Sequence, residues 1–193
     1  MTVIVGICEK GQVWLGADSY MGYGDYALER RWPKVFRLVV PQAEGSGVVM
    51  LVGESGDQRA GWLVRQLANL PKHEAGVDGL DYVAGPFVDK LREIYKEKGW
   101  ALSENGREGG SAQLLIGYQG RLFSVWDEFQ VVEGAEGYMA MGSGMYFALG
   151  ALVVTEGIPP ERRLDMVLEA VERHHVYVRR PFVIANCGDD MEA

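Results

Sequence analysis

Along this chain the hydrophobic period switches from two residues to about 3.6 and back, twice, and that order leaves few architectures open. Residues 2–8 and 12–18 read as two short strands around the turn Glu9-Lys10-Gly11. Glycines and tyrosines fill 20–26, strand character resumes over 34–40 after Pro33, and a Pro/Gly loop at 41–47 precedes a buried strand over 48–52. At Gly53-Glu54-Ser55-Gly56-Asp57 the period changes: Trp62, Leu63, Leu67 and Leu70 recur at helical spacing, with Asp57 as N-cap and Pro71 as stop. A second helix carries Leu80, Val83, Ala84, Phe87, Leu91 and Ile94, with Gly85-Pro86 bending or delaying its start. Strands return over 112–118, 121–126 and 137–141. Residues 145–154 are apolar nearly all round and predict a helix buried between layers, and 161–175 predict a last helix with the stripe Leu164, Val167, Leu168 and Val171. A closing strand covers 182–187. Strands, two helices, strands, two helices and a strand predict an α+β protein in which two antiparallel sheets stack face to face with helices outside each.

With 193 residues, 48% of them hydrophobic, the chain suffices for one well-buried domain over 1–193, and it shows no repeat or linker. No apolar run approaches the ~18 residues of a membrane span, and the first residues lack the pattern of a secretory signal, so a cytoplasmic protein is expected. A net charge of −8 argues against a nucleic-acid or membrane-surface binder, which needs a basic footprint. Arg30-Arg31, Arg162-Arg163 and Arg179-Arg180 are isolated pairs, read as surface or subunit-contact residues. Cys8 and Cys187 form no metal or disulfide pattern and read as buried small hydrophobes. His174 and His175 are adjacent, so on a helix they do not share a face and make no metal pair. No metal or cofactor is expected.

The chemistry is expected at the second residue. Once Met1 is removed, Thr2 carries a hydroxyl nucleophile and, on the same residue, an α-amine able to act as its base. An α-amine titrates near ~7.7–8.0, so a substantial fraction is a free base at neutral pH, where a lysine at ~10.4 is not. Asp18 and Lys34 follow Thr2 at intervals of sixteen and thirty-two residues. A retained Met1 acylates the amine and removes the base.

Four segments together resemble a proteasome β-type subunit, most closely the bacterial HslV branch of the N-terminal-nucleophile (Ntn) hydrolases: Thr2-Val3-Ile4-Val5-Gly6, Gly16-Ala17-Asp18-Ser19, Trp32-Pro33-Lys34-Val35-Phe36, and Met139-Ala140-Met141-Gly142-Ser143-Gly144. The resemblance runs nearly end to end and implies a four-layer αββα sandwich. It implies Thr2 as nucleophile, Lys34 paired to Asp18 as fixed positive charge, Gly53 as an oxyanion-binding N–H, and Ser143 beside the threonine amine. Gly53 reads equally as a strand-to-helix turn, and Ser143 equally as a helix N-cap. The implied specificity pocket is Met21, Trp32, Phe36, Leu51 and Ser55, which favours hydrophobic side chains; Phe36 and Leu51 read as well as core. The chain departs from the family where a supporting aspartate and serine are expected after the last helix: Val178 and Pro181 stand there.

The resemblance therefore implies a threonine endopeptidase that hydrolyses unfolded polypeptides, assembles as stacked homo-oligomeric rings, and works with an AAA+ ATPase unfoldase. The alternative is a non-catalytic, proteasome-like assembly protein that retains Met1; a small-molecule amidase of the same superfamily is a third reading.

Overall fold

The structure is a computed structural model that describes residues 2–23, 25–67, 69–104 and 106–188. The chain opens with β1 (Ile4–Glu9) and β2 (Gln12–Asp18), followed by the small hairpin β3 (Tyr20–Tyr23) and β4 (Tyr26–Glu29), then β5 (Val35–Val40) and β6 (Val48–Gly56). Next come α1 (Gln58–Arg65), α2 (Gly79–Tyr82) and α3 (Val88–Glu97), then the hairpin β7 (Leu102–Glu104) and β8 (Arg107–Gly109). The second half holds β9 (Ala112–Tyr118), β10 (Arg121–Val125), β11 (Val131–Glu133), β12 (Tyr138–Met141), α4 (Met145–Val154), α5 (Pro160–His174) and β13 (Phe182–Asn186). Two antiparallel sheets result, in the orders β12-β1-β2-β13 and β11-β10-β9-β6-β5.

Strand alternation divides the apolar residues among three cores, which is what makes four layers. From β1 and the residue before it, Val3, Val5 and Ile7 pack with Leu164, Val167, Leu168 and Val171 of α5, whereas Ile4 faces the other way. There it meets Leu15, Val35, Leu51 and Leu115 in the core between the sheets. On the outer face of the second sheet, Met50, Val52, Leu114 and Ile116 pack under Leu63, Tyr82, Phe87 and Leu91 of the first helical layer. The αββα sandwich expected from the element order is the observed fold.

Several local expectations are corrected. β3, β4, β7, β8 and β11 fall in stretches where the sequence pattern predicts no strand; all are short and lack a sustained apolar face. α1 ends at Arg65 because the N–H groups of Gln66 and Leu67 fold back onto Leu63 and Val64 in tighter turns, although Leu67 and Leu70 remain buried. Between α2 and α3 the backbone widens into a π-helical turn at Val83–Phe87, around Pro86, which has no N–H to donate. α4 is not buried between layers: Ala148 and Leu152 face inward, while Tyr146, Val153 and Val154 are 75%, 60% and 81% exposed. Arg163 is not at the surface, since its guanidinium reaches the Leu152 carbonyl at 2.7 Å and closes the end of α4. Cys8 and Cys187 are half-buried, and burial pushes both thiols up.

Candidate active site

Asp18, at the end of β2, is the hub of the site. Its carboxylate is buried and accepts from the Val3 N–H at 3.1 Å, the Tyr20 N–H at 3.1 Å, and Lys34 Nζ at 2.9 Å to each oxygen. One side chain thereby fixes the chain directly after Thr2, the turn into β3 and the residue that precedes β5. Lys34 is 1% exposed, and burial pushes its ammonium below the ordinary lysine value while Asp18 opposes the shift. A lysine so placed has its charge held in position by a bidentate carboxylate rather than by water.

The loop between β12 and α4 reaches Thr2 from the other side. Thr2 N donates to Ser143 Oγ at 3.3 Å, and the Gly144 N–H donates to the Thr2 carbonyl at 3.2 Å. Ser143 is not a helix cap: the N-cap of α4 is Gly144, without a side-chain bond. Gly142 has φ +87°, and a Cβ there would overlap the Thr2 carbonyl, so only glycine allows this approach.

Thr2, Lys34, Met21, Ser55, Tyr20, Arg30, Glu54, Gly56, Asp57 and Gln58 line one cleft. Gly53, expected there, is absent from the lining. The Glu54 N–H donates to the Lys34 carbonyl at 2.9 Å, and successive N–H groups on a strand turn to opposite edges. The Gly53 N–H therefore faces β9, and a Cβ on Gly53 would overlap Ile4 of the facing sheet, so this glycine serves sheet stacking. By the same alternation the Gly56 N–H points to the edge that β5 has vacated, where the cleft lies. Its φ is +99° and the Asp57 N–H turns back to Ser111, with Asp57 capping α1 as expected. Both glycines were visible in the sequence, and only strand register separates them.

Glu54 was not anticipated, and Arg30, expected at the surface or a subunit contact, lines the cleft instead. Arg30 Nη2 meets Glu54 Oε1 at 2.5 Å, with side-chain exposures of 16% and 4%. Glu54 Oε2 is buried against Gly61 of α1 with no hydrogen-bond partner, and a Cβ on Gly61 would overlap it. Gly61→Ala is therefore expected to destabilise by roughly 1–3 kcal/mol in chemical denaturation, because overpacking outweighs the ~0.5–1 kcal/mol that alanine gains within a helix.

Other expected pocket residues lie elsewhere. Trp32 is 56% exposed and lines a neighbouring groove with Met21, Leu28 and Trp62, its ring 5.3 Å from that of Trp62 and edge-on. Phe36 belongs to the core under α1–α3, and Leu51 to the core between the sheets. Val178 is fully buried among the α4–α5 residues, and the Pro181 carbonyl accepts from the Ser19 N–H at 3.0 Å. No histidine is near Thr2, Asp18 or Lys34 in sequence, yet the fold brings His175 within electrostatic reach of Asp18. Burial pushes the imidazole down, Asp18 opposes, and Nδ1 accepts from the Tyr177 N–H at 3.2 Å. Met1 lies outside the described residues. Among the described residues no three His, Cys, Asp or Glu side chains are grouped to hold a metal, and no helix is long and apolar enough to cross a membrane.

By sequence, no family model and no curated protein matches this chain. Solved structures do. Thiobacillus denitrificans BPH superposes with a TM-score of 0.77 at 20% identity, over 96% of this chain and 97% of that one. Eukaryotic HslV from Trypanosoma brucei does so with a TM-score of 0.65 at 17% identity, over 96% and 98%. The fold is the HslV-like Ntn-hydrolase fold. Anbu from Yersinia bercovieri shares it with a TM-score of 0.67 at 14% identity, over 96% of this chain and 81% of that chain. BPH is also known in complex with epoxomicin, and that structure matches at 19% identity with a TM-score of 0.73. Within the Ntn-hydrolase fold, the start of β1, the end of β2, the start of β5 and the β12–α4 loop are the places that converge here on Thr2.

Proposed function

We propose that this protein is a threonine peptidase whose nucleophile is Thr2, exposed as a free amino terminus by removal of Met1. The observation that carries the reading is the convergence of Asp18, Lys34 and Ser143 on the Thr2 segment from three separate elements. Thr2 Oγ attacks the scissile carbonyl, and its own amine, held by Ser143 Oγ, takes up the proton. Lys34, fixed by Asp18, favours the developing alkoxide, and the Gly56 N–H at the open strand edge receives the oxyanion. The likeness in fold to Anbu, which from Pseudomonas aeruginosa forms a helical assembly, supports homo-oligomeric assembly; in this reading the assembly is a stack of rings that admits unfolded polypeptides in the cytoplasm, with an AAA+ ATPase as the unfoldase. The chain acts as one domain over 1–193.

A second reading, a proteasome-like assembly protein that keeps Met1, is favoured by one observation: Val178 fills apolar core where the family resemblance calls for a polar support. Intact mass and covalent labelling separate the two. A mass lower by one methionine, with a peptide epoxyketone or vinyl sulfone attached at Thr2, is the expected result; native material that retains Met1 and stays unlabelled belongs to the second reading. Hydrolysis of fluorogenic peptides by the trimmed form should rise with pH through the amine pKa, about 7.7–8.0, as the amine loses its proton. A rate that is flat or falls over that range removes the amine from the role of base.

A further inference from the structure

We propose that the cleft beside Thr2 accepts a small, uncharged side chain next to the scissile bond, because the buried Arg30–Glu54 ion pair already fills its depth. This rests on the reading of Thr2 as the nucleophile and names the substrate class of that site. It replaces the hydrophobic preference implied by the family resemblance, since Phe36 and Leu51 are core and Trp32 lies outside this cleft.

Three observations carry it. The cavity volume of the cleft is about 20 Å³, room for little more than one water molecule. Its depth is charged on both sides: Arg30 and Glu54 meet at 2.5 Å, while Arg65 and Lys34 lie within electrostatic reach of the same carboxylate. Finally, the pair cannot retreat. Glu54 Oε2 is jammed against Gly61, and pulling Arg30 away leaves a buried carboxylate without its closest cation, a costly change in a desolvated site. A leucine or phenylalanine side chain would have to break that pair to enter. A basic side chain would meet the cations Arg30, Lys34 and Arg65, and an acidic one the carboxylates of Glu54 and Asp57 in the cleft lining. Alanine, glycine or serine meets neither obstacle. Beyond Arg30 lies the roomier apolar groove of Met21, Leu28, Trp32 and Trp62, about 600 Å³. Arg30 lines both spaces, as do Met21 and Gln58.

The test uses peptide epoxyketones that differ only in the residue beside the warhead, applied to protein trimmed to Thr2. Labelling with Ala in that position should be at least tenfold faster than with Leu, Phe, Lys or Glu. Arg30→Ala/Glu54→Ala empties the space the pair occupies and should reverse the order of Ala against Leu and Phe, whereas Arg30→Met/Glu54→Leu refills the space without charge and should keep the preference for Ala over Leu and Phe. Calorimetric binding of N-acetylated tripeptide amides carrying the same residues to the Thr2→Ala protein reads the cleft without chemistry. If those peptides bind in the expected order while no epoxyketone labels the trimmed protein, the cleft assignment stands and the nucleophile reading falls. Preference for Leu or Phe by the parent protein, an order unchanged by the double alanine variant, or failure of every peptide to bind overturns the proposal.

Discussion

Thr2→Ala should fold and assemble as the parent does and lose peptide hydrolysis, on the order of a millionfold in kcat, as in other hydrolases stripped of the attacking hydroxyl. The fold should survive because what ties Thr2 down is backbone: its nitrogen to Ser143 Oγ and its carbonyl to the Gly144 N–H. Neither bond uses the side chain. Thermal unfolding within a few degrees of the parent, together with background-level cleavage of a fluorogenic peptide, is the expected pair of results. Residual activity above one per cent of the parent would mean that another group attacks.

Asp18→Ala should be the most damaging single change to stability. It removes the acceptor for Val3, Tyr20 and Lys34 at once and leaves a buried ammonium without its bidentate partner. Removing one member of a buried pair costs about 3–5 kcal/mol, mostly because the other charge remains desolvated. In guanidinium unfolding the variant should lose stability in that range, whereas Asp18→Leu/Lys34→Met, which removes both charges but still leaves the Val3 and Tyr20 N–H groups without their acceptor, should recover only part of that loss. The double variant should nonetheless be inactive, since the fixed positive charge beside Thr2 is gone. A single-variant loss below 1 kcal/mol would show that water reaches Lys34 and that the pair is not the desolvated anchor described here.

The two variants separate what Thr2 does from what holds it. On the proposed reading Thr2 should be expendable for the fold and indispensable for the reaction. Asp18 should serve both, since its hydrogen-bonded carboxylate holds the Thr2 segment and Lys34 in place.

The sequence by itself determined the architecture, because period-two strands and helical stripes are local signals that dictate which face of each element is apolar. Val3, Val5 and Ile7 alternating with Ile4 required a sheet covered on both faces, and the order of periods supplied the helical layer outside each sheet. The partnership of Thr2, Asp18 and Lys34 was expected from the family resemblance alone, and the bonds of the Asp18 carboxylate to Val3 and Lys34 bring those segments together. Tertiary structure alone decided the rest. Gly53 and Gly56 stand three residues apart in one short segment, and only the pairing of β6 with β5 and β9 assigns the inward N–H to Gly56. Arg30 and Glu54 are distant in sequence and carry no periodicity; their burial opposite Gly61 depends on where α1 lands on the second sheet. His175 comes within reach of Asp18 only through the packing of α5 on β2. Contacts of this kind arise between layers, so no window of neighbouring residues holds their signal.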